Sequence, residues 1–107
     1  MRFKSKGVDP RAPGVQTWQA VSGFWSFVVA HDISGPDYIC SYRDNRIPNL
    51  TVRVPSLGMI SKDQCAAVMF NDHREIKGAD APEEFAYPSL DDAFRACERK
   101  RRELLLR

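Results

Sequence analysis

The chain ends on the pattern of an amphipathic helix, and that helix dictates what the rest of the molecule must supply. Ser89 stands where an N-cap residue belongs, Asp91 and Asp92 fall in the first turn, and basic residues crowd the far end, which suits both poles of the helix dipole. The spacing predicts a helix over 90–105, with Leu90, Ala93, Phe94, Cys97, Leu104 and Leu105 on one face and Arg95, Glu98, Arg99 and Arg102 on the other. Arg101 interrupts the apolar face, so packing is expected to loosen after Cys97. A stripe this apolar needs a surface to bury against.

The preceding residues read as that surface. Residues 15–30 are rich in β-branched and aromatic side chains with Ser22-Gly23 as a turn signal, which predicts strands over 15–21 and 24–31. A third strand is expected over 38–42, after the Gly35-Pro36 loop. Residues 50–54 alternate at the strand period of two, placing Leu50, Val52 and Val54 inward and Thr51 and Arg53 outward. Ser61-Lys62-Asp63-Gln64 fits a capping box and predicts a helix of about ten residues. The nearly unbroken apolar run over 65–70 suits a buried strand as well. Residues 71–81 are polar and read as loop, and Asp80-Ala81-Pro82-Glu83 opens a short helical turn before Tyr87-Pro88.

Residues 1–14 carry Pro10, Pro13, Gly7, Gly14 and several cations without hydrophobic periodicity, so they read as a flexible basic arm. Residues 15–107 then form one domain. The expected fold class is α+β: a small antiparallel sheet of about four strands, one medium helix, and the C-terminal helix packed on one face. A chain of 107 residues, 43% of them hydrophobic, has material for one core and little more.

Partners and compartment follow from what the chain contains. Its longest apolar stretch falls far short of the roughly 20 residues that span a bilayer, so no membrane partner is expected. The basic N-terminus runs into Val8-Asp9-Pro10 rather than an apolar leader core, and Cys40, Cys65 and Cys97 are an odd, widely spaced set. Reduced, buried thiols and a cytoplasmic location are the expectation. Net charge is +2, but residues 1–20 and 93–107 are net basic while the stretch between them is net acidic, which favours a polyanionic partner.

Catalytic chemistry is not written in the chain. His31 and His73 lack the short spacing of metal ligands, and a set assembled from His31, Cys40, Cys65 and His73 would depend wholly on the fold. The paired carboxylates Glu83-Glu84 and Asp91-Asp92 sit at helix starts, where negative charge is expected anyway. The glycines never cluster as a phosphate loop does, and no nucleophile motif occurs. No catalytic residue, metal or cofactor is expected, and an enzyme ranks third among the readings.

Two surfaces qualify as binding sites. One is the helix stripe Arg95, Arg99 and Arg102. The other is a sheet face carrying Trp18, Trp25, Tyr38 and Tyr42 beside Arg43, Arg46 and Arg53. The leading expectation is a small non-enzymatic protein that docks on a macromolecular partner, another protein before nucleic acid, as an inhibitor, adaptor or accessory subunit. The alternative is a nucleic-acid-binding domain that uses the same basic helix and aromatic sheet.

Overall fold

A computed structural model describes residues 1–8, 13–46, 51–54, 58–61, 67–77 and 83–106, with 51–54 and 58–61 described by their backbone. The strands are β1 (Lys4–Val8), β2 (Val15–Ser22), β3 (Trp25–Asp32), β4 (Tyr38–Asp44), β5 (Thr51–Val54), β6 (Gly58–Ser61), β7 (Val68–Phe70) and β8 (Glu75–Lys77). A 3₁₀ turn over Glu83–Phe85 precedes the single α-helix among the described residues, α1 (Leu90–Leu105). The fold is α+β. Six antiparallel strands in the order β1-β2-β3-β4-β7-β8 form the main sheet, and β5 pairs with β6 alone.

The central strands form where β-branched and aromatic residues concentrate. Ser22 pairs with Trp25, so Gly23 and Phe24 make a two-residue hairpin turn. Gly23 takes a φ of 59° at its first central position, the left-handed region that a type II′ turn assigns to glycine. The register runs Ala20↔Phe27↔Tyr42↔Val68 across one row and Trp18↔Val29↔Cys40↔Phe70 across the next. Because side chains alternate, those rows share one face. Phe27, Val29, Cys40 and Phe70 on that face are at most 1% exposed.

α1 covers this face. Ser89 Oγ accepts the Asp92 N–H at 3.1 Å, which satisfies one of the free donors at the helix start. Ala93, Ala96, Cys97 and Leu104 are buried against the sheet, and the first three are small enough for helix and strands to approach closely. The Cys40 thiol donates to the Ala93 carbonyl at 3.4 Å, tying β4 to the first turns of the helix.

Several expectations are corrected. The medium helix after Ser61 is absent among the described residues: Ser61 closes β6, residues 62–66 lie outside them, and Val68–Phe70 is a strand. All three of those residues are buried between β4 and β8, so no polar alternation marks the strand. The strand at Thr51–Val54 exists, but it pairs only with β6 and is not a fourth strand of the main sheet; Leu50 lies outside the described residues. The main sheet has six strands where about four were expected. β8 lies within residues expected to be loop.

The N-terminal residues also differ from a free arm. Lys4–Val8 pairs with β2, and the register shifts between Ser5 and Gly7, where Gly7 has a φ of 69°. A bulge and two lysines are devices that keep an edge strand from recruiting further strands. On the helix, Leu105 is 61% exposed although it was expected on the apolar face. Lys100 takes a buried place there instead.

Candidate functional site

The expected sheet-face site is dispersed by the fold. Trp18, Trp25, Tyr38 and Tyr42 lie on the helix-covered face, where Trp18 packs on Tyr38 at 6.1 Å and Trp25 meets Tyr42 edge-on at 5.7 Å. Tyr42 is buried, and its hydroxyl donates to Glu75 at 2.9 Å. Arg43 pairs in register with Ser26 on the opposite face, and its guanidinium donates to Asn45 at 3.0 Å. Arg46 forks onto Asp44, with its closest contact at 2.7 Å, and lies over the Phe24 ring at 4.7 Å. Hydrogen bonds from Arg46 hold the Asp44 carboxyl below its ordinary range. The side chain of Arg53 lies outside the described residues.

The helix stripe is brought together, though its members have different surroundings. Arg99 donates to Asp72 Oδ1 at 2.8 Å, and this bond raises its pKa. The Tyr87 hydroxyl also donates to Asp72, at 3.3 Å; burial first, and then the Asp72 charge, push that phenol up. Arg95 is largely exposed and stands 3.7 Å from Asp92. Arg102 is exposed and makes no ion pair among the described residues.

The remainder of the site comes from the other end of the chain. The Phe3 ring stacks on Phe94 with centroids 4.3 Å apart and planes 16° from parallel, and the Met1 amino group contacts Glu98. This places Arg2 beside α1. A groove of about 740 Å³ results, lined by Met1, Arg2 and Phe3 from one side and by Phe94, Arg95, Glu98, Arg99 and Arg102 from the other. Arg2 is exposed and, like Arg102, has no ion pair among the described residues.

Sequence reasoning missed Arg2 and Phe3. A usable signal was present: Phe3 is a large apolar side chain between Arg2 and Lys4, and a ring in that setting needs a surface. It missed a second cluster on the other flank of α1. There Lys100 Nζ donates to Glu75 at 2.9 Å and to Glu103 at 3.0 Å, and sits 5.3 Å from the centre of the Phe70 ring. Burial alone would lower the Lys100 pKa, but the bonds to the two carboxylates outweigh it and the net shift is upward.

Cys40 and Cys97 are free and fully buried, and Cys65 lies outside the described residues. The hydrogen bond with Cys97, followed by burial, raises the Cys40 pKa, so thiolate is scarce there. His31 stacks on Tyr38 at 4.1 Å and its Nε2 meets the Gly35 carbonyl oxygen at 2.8 Å, while His73 is exposed. Among the described residues no three His, Cys, Asp or Glu side chains are grouped to hold a metal ion, and no helix is long and apolar enough to cross a membrane. Compared with protein families, curated proteins and solved structures, the chain matches none.

Proposed function

We propose that this chain is a non-enzymatic binding module that docks on another protein through the groove between the N-terminal segment and α1. The observation that carries this reading is the pair of cations, Arg2 and Arg102, that border an apolar floor and have no ion pair among the described residues. Arginine beside aromatic side chains is the composition of energetic anchors in protein interfaces. Nucleic acid is the weaker reading. The net charge is only +2, Asp72 and Asp92 stand next to Arg99 and Arg95, and Glu98 shares the groove lining with both arginines, where a phosphate backbone with a charge at every unit would meet repulsion.

Affinity capture from an extract of the source cells tests the proposal, comparing the parent chain with Arg2→Gln/Arg95→Gln/Arg102→Gln in nuclease-treated extract. A protein retained by the parent and lost by the variant is the expected result. Equal retention by both, or capture that disappears on nuclease treatment, overturns it.

A further inference from the structure

We infer that the occupant of this groove is an extended acidic peptide segment whose carboxylates flank one apolar anchor side chain. The inference rests on the docking reading above and names the chemistry of the partner.

The spacing of the cations selects a segment over a small anion. Arg95 and Arg102 are seven residues apart on α1, which is about 10 Å along the helix axis, and Arg2 faces them from the N-terminal side. A single phosphate or carboxylate reaches one end of such a row. An extended peptide covers the same length with about three residues.

The floor selects the anchor. Phe3 and Phe94 are stacked on each other and partly buried against the core, so they offer a fixed apolar surface with its ordering cost already met by the fold. Their 4.3 Å separation leaves no gap for a base to enter between them.

Glu98 selects peptide over polynucleotide. It lies in the groove wall with one carboxylate oxygen on the Met1 amino group and the other 3.8 Å from Arg101. A phosphate backbone carries charge at every unit and would set one against this carboxylate. A peptide keeps its carboxylates at the arginines and presents neutral backbone, including N–H donors, at Glu98.

Fluorescence anisotropy on the whole chain tests this with a labelled peptide of one phenylalanine flanked on each side by a single glutamate within an otherwise serine chain. Saturable binding is expected, weakening about ten-fold in Arg2→Gln/Arg102→Gln, and weakening again with added salt. The same peptide with serine in place of phenylalanine should also bind about ten-fold more weakly. Both substitutions are on exposed residues, and an unchanged denaturation midpoint shows that the variant is folded.

Failure of the peptide to bind, equal binding by the variant, or equal binding of the serine peptide overturns the inference. Tighter binding of a thymidine oligonucleotide of equal charge overturns it in favour of nucleic acid. If the capture experiment yields a partner through the groove that the peptide does not displace, this inference falls and the docking reading stands. If capture yields nothing, the docking reading itself falls.

Discussion

Lys100 and Arg102 are two residues apart on the same helix and have opposite fates. The Lys100 side chain is 9% exposed and held by two carboxylates over an aromatic ring. Arg102 stands in solvent with no ion pair among the described residues, at the rim of a groove. Burying an ammonium costs several kcal/mol unless partners and hydrogen bonds offset it, so the fold must explain Lys100 from within. Nothing demands that of Arg102. The contrast separates cations that serve the structure from cations that remain available to another molecule.

The largest expected effect lies under the closed flank. Phe70 is 1% exposed and lies beneath Lys100, so Phe70→Ala should cost about 3–5 kcal/mol through the cavity it leaves. Urea denaturation with an unchanged slope would show this as a lower midpoint. An unchanged midpoint would mean that the closed flank has no rigid floor, and the contrast would collapse.

A smaller loss is expected from Glu75→Gln, which takes a charged acceptor from both Lys100 and Tyr42. The cost should be about 1–3 kcal/mol near neutral pH. Because the Lys100 pKa is raised above 10.5 in the folded chain, its contribution is full below that pH and is lost as pH rises through the folded value. Parent and Glu75→Gln should therefore converge in stability as the solution is made more alkaline. A gap that persists or widens would mean that Glu75 acts by some means other than holding the Lys100 proton.

The smallest effect belongs to the open flank. Arg2→Gln and Arg102→Gln should each change stability by less than about 0.5 kcal/mol, while the pair together weakens binding of the acidic peptide about ten-fold. A loss comparable to that of Glu75→Gln would reveal an internal role for these arginines and erase the distinction between the flanks.

Legibility in the sequence followed the range of the forces involved. The bounds of α1 were readable from 90 to 105 because Ser89, Asp91, Asp92 and the basic end act within one or two helical turns. β2, β3 and β4 were readable from their aromatic and β-branched content. β7 was legible only as one of two alternatives, helix or buried strand, because Val68–Phe70 is buried on both sides and shows no alternation. β1 was not, because Lys4–Val8 is a polar edge strand whose evidence lies in its pairing with β2. Glu75–Lys77 is too short for any periodicity to appear.

The site divides along the same line. The sequence by itself determined that Arg95, Arg99 and Arg102 share the polar side of a helix, since a period of 3.6 residues places them there whatever the rest of the chain does. Only the tertiary structure decided that Arg99 is bound to Asp72 while Arg102 is not, that Lys100 is buried, and that Phe3 arrives to stack on Phe94. The physical reason is distance along the chain. Helix capping and periodicity join residues a few positions apart, whereas these contacts join α1 to residues 25 or more positions away, in the case of Phe3 to the other end of the sequence, and follow from sheet register and from which face α1 covers.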